Sequence, residues 1–218
     1  MTKSTGPFNP PAKPPASWFA NPGFTGPAPI RITNDGHITG HLAVWDSCHI
    51  GRPDRCISPP RAPGGSYSSF HTGQVLCADG SRVDVGQITV DSGHADLAAT
   101  PSGAQHHYDH TGWAGADVAC GEDEFGIWLA GSVRPGLDDL QARKLMGADV
   151  SGDWRRMSGA LQLVGVASVN VPGFSKTAHR VGSSRDSGQS ALVASGAVMD
   201  PATRLRMRLW SIVHHQEA

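Results

Sequence analysis

Apolar runs separated by turn signals predict a chain of short strands. Asn34-Asp35-Gly36 stands between two such runs and supplies the positive φ that a hairpin turn needs. Asp79-Gly80 separates a second pair, and the acidic turn 121–124 separates a third. The predicted strands are 30–32, 38–45, 73–76, 82–90, 114–118, 126–133 and 161–171.

One central helix is predicted over 137–147. It follows Pro135-Gly136, carries acidic residues in its first turn and basic residues late, which suits the helix dipole. Residues 148–156 are interpreted as a loop after it. Together these elements predict an α+β fold with a β-rich, mostly antiparallel, barrel-like core of short strands and a few helices.

Both ends of the chain differ in composition from the middle. Half of the 16 prolines fall within residues 1–29, which predicts an extended, mostly disordered arm. Three aromatic residues in this arm either fold back onto the domain, which we favour, or dock on a partner: Trp18, Phe19 and Phe24. After the predicted domain, 30–174, come a Ser/Gly-rich linker, 175–200, and a short basic amphipathic helix, 201–218.

Charge and hydropathy exclude two classes of function. The 18 Lys and Arg residues balance 19 Asp and Glu residues, and a net charge of −1 argues against direct binding of nucleic-acid phosphate. The chain has neither an apolar run long enough to span a membrane nor an apolar signal region at its start, so no export is expected. We therefore expect four free thiols, at Cys48, Cys56, Cys77 and Cys120. The alternative is a zinc site made by Cys48, His49, Cys56 and His71.

Histidines concentrate around residues 94–110 and permit two kinds of hydrolytic site. His107-x-Asp109-His110 matches three of the four letters of the H-x-H-x-D-H pattern of metallo-β-lactamase-like hydrolases, but no histidine follows before His179. A nucleophilic hydrolase instead needs a serine beside a histidine base. Ser151, next to Gly152, is the candidate serine, although a serine in a loop after a helix is, by itself, an ordinary turn residue.

Several segments, in the same order along the chain, support the second possibility. Residues 38–172 resemble the prohead (capsid maturation) serine proteases of tailed phages, relatives of the herpesvirus assemblin fold, in the form found in actinobacteriophages. The segments that carry this resemblance are Gly40-His41-Leu42-Ala43-Val44-Trp45, His107-Tyr108-Asp109, Gly121-Glu122-Asp123-Glu124-Phe125-Gly126-Ile127-Trp128, Val150-Ser151-Gly152 and Val169-Asn170-Val171-Pro172.

The resemblance implies a role for each candidate residue. Ser151 would be the nucleophile and His107 the general base. Backbone N–H groups after Ser151, with Gly152 and either Arg155 or Arg156, would stabilise or position the oxyanion.

The third catalytic residue is where this chain departs from the family. Gly165 stands where the family has an acidic residue. The resemblance to assemblins, which use a second histidine, favours His94, with Asp109 and Asp96 as alternatives.

The expected function is a serine endopeptidase that needs no cofactor. It would process scaffold, capsid protein and itself inside the assembling procapsid, in the cytoplasm of the host bacterium, and could form a homo-oligomer. Two alternatives stay open: an inactive capsid assembly protein of the same fold, and a metal-dependent hydrolase using His107, Asp109 and His110.

Overall fold

The computed structural model describes residues 8–52, 54–174 and 176. Its regular elements are eight strands and two α-helices. They are β1 (Arg31–Ile32), β2 (His37–Val44), β3 (Gly73–Leu76), β4 (Arg82–Val90), α1 (Pro101–His110), β5 (Trp113–Glu122), β6 (Gly126–Val133), α2 (Asp139–Gly147), β7 (Asp149–Met157) and β8 (Ala160–Val169), with 3₁₀ turns at Ala16–Phe19 and Pro63–Gly65.

A single sheet organises the domain. Its strand order is β1-β2-β6-β5-β4-β8-β7, with β3 paired to β4. Every pairing is antiparallel except that of β4 with β8, which sets Ile88 opposite Val166. The sheet curls into a half-barrel in which β2 and β7 contact each other. The predicted β-rich α+β fold is thereby confirmed.

Apolar side chains on the concave side of the sheet form the main core. Ile38, Leu42, Ile88, Ile127 and Leu129 are almost completely buried there. Burial of each such side chain contributes about 1.5–3 kcal/mol, so this cluster is a main source of stability for the sheet on which the site is built.

The N-terminal segment differs from the disordered arm that its prolines predict. Residues 8–29 lie against the sheet: Phe19 is buried in a second cluster with Trp128, and Trp18 stacks on His37 with ring centroids 4.7 Å apart. The backbone N–H of Ala78 donates to the carbonyl of Pro14. The aromatic residues supply the apolar surface that holds the segment in place, as the favoured interpretation of them required.

Two elements were missed or misread by the sequence analysis. Helix α1 was not predicted because Ala104 is its only buried residue, although Thr100 caps it and Pro101 opens it. Most of residues 148–156, interpreted as a loop, belong to strand β7 (Asp149–Met157). The predicted helix 137–147 begins later, at Asp139, after a capping box between Asp138 and Gln141.

The cysteine prediction was wrong for two of the four residues. Cys48 and Cys56 form a disulfide, while Cys77 and Cys120 are free and buried. The two paired thiols are therefore not zinc ligands, and His71 accepts a hydrogen bond from the backbone N–H of Cys120.

Two further predictions concern segments at the chain's C-terminal end. The predicted linker 175–200, apart from Lys176, and the predicted helix 201–218 lie outside the described residues. Among the helices that are described, none has the length and apolar character needed to cross a bilayer.

Candidate active site around β7

Strand β7 presents a polar face that is buried. Successive side chains of a strand point to opposite sides, so Ser151 and Asp153 share a side, and Arg155 joins them by pairing with Asp153. All three residues are at most 8% exposed. A serine, a carboxylate and a guanidinium buried together require partners, since an unpaired buried polar group costs about 1–3 kcal/mol.

Arg155 binds the segment that leads into α1. Two of its guanidinium N–H groups donate to the Asp153 carboxylate, and others donate to the carbonyls of Ala95, Asp96, Leu97 and Ala99. The hydrogen bonds to Asp153 raise the pKa of Arg155 further. The arginine thus fixes the 95–99 loop over β7 and is not free to reach a substrate oxyanion, contrary to the role expected of it.

Tyr108 connects that strand to His94. Its hydroxyl donates to Oδ2 of Asp153 at 2.8 Å and lies 3.2 Å from Nδ1 of His94. The Tyr108 ring covers Gly165, where a Cβ would lie 2.5 Å from the ring. Gly165 pairs directly with Asp153 across the β7–β8 ladder, so the absence of a side chain on β8 makes room for the tyrosine.

Burial and neighbouring charges determine how His94 titrates. Burial lowers its pKa below 6.5, the charge of Asp153 raises it, and the charges of Arg155 and His107 lower it. Burial, followed by the charge of Asp153, raises the pKa of Tyr108, so the hydroxyl keeps its proton. His94 is therefore neutral at pH 7 and the Tyr108 hydroxyl is protonated.

The segment after β8 returns across Ser151. The backbone N–H of Gly173 donates to Ser151 Oγ at 3.3 Å, and the Gly173 carbonyl accepts from the N–H of Ile50. His49 packs against this segment: a Cβ on Gly173 would lie 2.6 Å from its Nε2, and its ring meets that of Phe174 edge-on. Burial, followed by the charges of Arg52 and then His94, lowers the pKa of His49.

Other predicted site residues are not gathered around Ser151. His107 lies on α1 with its Nε2 3.0 Å from the carbonyl of Ser92, and among the described residues neither His107 nor His94 is hydrogen-bonded to Ser151. The side chain of Asp109 is 82% exposed on the far end of the helix. Asp96 is exposed and accepts from the N–H of Ala98. Neither carboxylate contacts a candidate base among the described residues.

The expected oxyanion loop does not exist in that form. Gly152 lies within β7, paired with Val166 of β8, rather than in a loop after the serine. Arg156 is exposed and donates to the carbonyl of Gly159 at the β7–β8 turn. Gly152 is therefore part of the sheet, and Arg156 is engaged at its turn.

The three residues of the alternative metal site, His107, Asp109 and His110, are not gathered around one point either. His110 stacks on His106 with ring centroids 3.8 Å apart, while His107 faces Ser92. Within the described part of the chain, no three His, Cys, Asp or Glu side chains are placed to hold a metal ion.

Four residues of this neighbourhood were not predicted to belong to it: Tyr108, Asp153, His49 and Gly173. Tyr108 follows His107 and Asp153 follows Gly152 along the chain, but only the fold sets Tyr108 and Asp153 side by side. One signal was available, because the i, i+2, i+4 spacing of Ser151, Asp153 and Arg155 is typical of one strand face.

A cavity of about 720 Å³ lies beside α1. Tyr108 and Gly165 line it, whereas Ser151 and His94 do not, so it adjoins the tyrosine and not the serine.

Comparison with known proteins identifies no relative. No protein-family model, curated protein or solved structure matches the chain.

Proposed function

We propose that the protein is a serine endopeptidase of the capsid-maturation type, with Ser151 as its nucleophile. The observation that carries the proposal is the set of polar side chains on one face of β7 and on the segments packed over that face. Ser151 stands two residues from Asp153, and Asp153 is linked through Tyr108 to a neutral histidine, His94. A nucleophilic serine, a histidine base and a carboxylate are the groups that serine hydrolases combine.

The reaction follows from these groups. Ser151 Oγ attacks the scissile carbonyl carbon while a histidine takes its proton, and the same histidine returns that proton to the leaving amine. Water then hydrolyses the acyl-enzyme. From the sequence, His107 is the expected base and His94 the third residue.

The proposed substrates come from the resemblance of residues 38–172 to prohead proteases. They are the capsid protein, the scaffold and the chain itself, cleaved within the procapsid in the bacterial host's cytoplasm. A substrate confined in a shell is locally concentrated, which suits a slow enzyme.

One observation favours a second candidate function, that of an inactive assembly protein of the same fold. Ser151 is only 6% exposed, and the N–H of Gly173 already occupies its hydroxyl. An active enzyme must move the segment around Gly173 to admit a peptide, whereas an assembly protein has no such need.

Co-expression with a phage capsid protein and its scaffold separates the two functions. Intact-mass spectrometry should find clipped shell protein or a clipped chain with the wild type and none with Ser151→Ala. Ser132→Ala is the matched control, because Ser132 is an equally buried strand serine whose Oγ donates to the carbonyl of Val133. Cleavage that persists in Ser151→Ala, or is absent from the wild type, would contradict the proposal.

A further inference from the structure

We infer that His94 is the general base for Ser151 and that Tyr108 and Asp153 are the positioning residues that prepare it. This inference rests on the proposed function and names the residues that make it work. It reassigns the base from His107 and supplies the carboxylate that is missing at Gly165.

Hydrogen-bond directions fix which nitrogen of His94 carries the proton. The Asp153 carboxylate, which also accepts from Arg155, accepts the single hydroxyl proton of Tyr108. The Tyr108 oxygen is then an acceptor, so Nδ1 of His94 must be the donor across the 3.2 Å contact. The lone pair of neutral His94 is consequently on Nε2, which has no hydrogen-bond partner among the described residues.

That arrangement is what a serine hydrolase requires of its base. An acid that holds the Nδ1 proton selects the tautomer whose Nε2 can accept the serine proton, and it stabilises the imidazolium that results. Here a tyrosine hydroxyl lies between histidine and acid, so the tautomer is selected through two hydrogen bonds instead of one.

The two neighbouring histidines are poorer candidates. Nδ1 of His49 accepts from the N–H of Gly51, so neutral His49 carries its proton on Nε2, the nitrogen that faces Gly173. His107 donates through Nε2 to the Ser92 carbonyl, which leaves only Nδ1, the nitrogen nearest its own helix backbone. Neither histidine has a carboxylate behind it within the described residues.

The tautomer can be observed directly. In ¹⁵N-labelled protein at pH 8, long-range ¹H–¹⁵N correlation should report His94 with Nδ1 protonated and Nε2 bare, its signals assigned by their loss in His94→Ala. Tyr108→Phe keeps the ring over Gly165 but removes the hydroxyl, and should yield a mixture of tautomers. A proton on Nε2 of His94 in the wild type would overturn the inference.

The rate at which a fluorophosphonate reacts with Ser151 tests the catalytic half. His94→Ala should lower this rate by about 10³-fold or more, and His107→Ala should change it by less than about threefold. Tyr108→Phe should lower the reaction rate by at least about tenfold. In the wild type, the rate should decrease on the acid side below pH 6.5, and Tyr108→Phe should move this decrease to still lower pH. The shift arises because phenylalanine lacks the hydroxyl through which Asp153 stabilises protonated His94. If Tyr108 had a purely structural role, the pH dependence of the rate would not change.

Failure of this inference and failure of the proposed function give different results. A wild type that does not react at Ser151 overturns both. A wild type that reacts, with the rate abolished by His107→Ala and unchanged by His94→Ala, overturns the inference and leaves the peptidase standing. Exposed His106 is the control, since His106→Ala should match the wild type.

Discussion

Two histidines of this protein are each linked to an aspartate, His41 directly and His94 through Tyr108, and they use their nitrogens differently. His41, on β2, is fully buried, with Nε2 3.1 Å from Asp123 and Nδ1 accepting from the N–H of Ala28. His94 engages only Nδ1, through Tyr108 to Asp153, and leaves Nε2 unused by the described residues.

The difference separates a structural histidine from a candidate base. His41 joins the N-terminal segment to the sheet, and its two nitrogens are both satisfied, so it has no position from which to accept a proton. His94 is partly exposed and keeps one nitrogen bare beside a serine-bearing strand. A buried histidine–carboxylate pair therefore indicates function only when one nitrogen remains available.

Alanine substitutions at the two histidines should have opposite effects. His41→Ala leaves a cavity and an unsatisfied Ala28 N–H, and should lower the free energy of unfolding by about 2–4 kcal/mol while the folded fraction still reacts at Ser151. His94→Ala should lower it by less than about 1 kcal/mol and abolish the reaction. Urea unfolding together with fluorophosphonate labelling measures both. A reversal of the two patterns would refute the comparison.

A substitution at Gly165 should disturb the hydrogen-bonded residues His94, Tyr108 and Asp153, because Gly165 lies against the Tyr108 ring. Gly165→Ala places a methyl group within 2.5 Å of the Tyr108 ring and should cost about 1–3 kcal/mol of stability, with a slower reaction at Ser151. In a Tyr108→Ala background, which removes the obstructing ring, the same substitution should cost little. A double-mutant cycle with no coupling between the two positions would mean that the tyrosine does not rely on this glycine.

The pH dependence of stability is a smaller effect that involves several histidines. Burial lowers the pKa of His37, His49, His71 and His94 in the folded protein, while the unfolded chain titrates near 6.5. Unfolding therefore takes up protons below that value, and the free energy of unfolding should fall between pH 7 and pH 5.

Urea unfolding at each pH measures this dependence. His71→Gln should flatten it, since glutamine can still accept from the N–H of Cys120 but does not titrate. Stability that rises as the pH falls through this window would contradict the assignment of these histidines as buried and neutral.

Local patterns were sufficient for most of the fold and insufficient for the site. Turn chemistry at Asn34-Asp35-Gly36 and Asp79-Gly80 placed four strands correctly, because a hairpin requires positive φ at fixed positions and Gly36 and Gly80 adopt it. Strand β7 was missed because the signal for a strand is an alternation of apolar and exposed polar positions, and here Val150 is buried in the core while Ser151 and Asp153 are buried on the opposite face. That exception marks the candidate site.

The roles of the site residues depend on pairings that no local window contains. In the sequence, Gly165 is noticeable only as the place where the family has an acid, yet in the fold it pairs with Asp153 on the neighbouring strand and makes space for Tyr108. Ser151 was selected through resemblance, and its nucleophilic role remains a prediction. The choice between His94 and His107 turns on which nitrogen each one leaves free, and only the folded contacts of Ser92 and Tyr108 decide that.

The most direct test of the account is to locate a fluorophosphonate adduct on the wild-type protein by peptide mapping. The account predicts that the adduct lies on Ser151, forms faster as the pH rises through the titration of His94, and is lost in His94→Ala. A wild-type protein that remains unmodified at Ser151 while folded, or an adduct that forms equally on Ser132, would contradict the claim that this strand carries an activated serine.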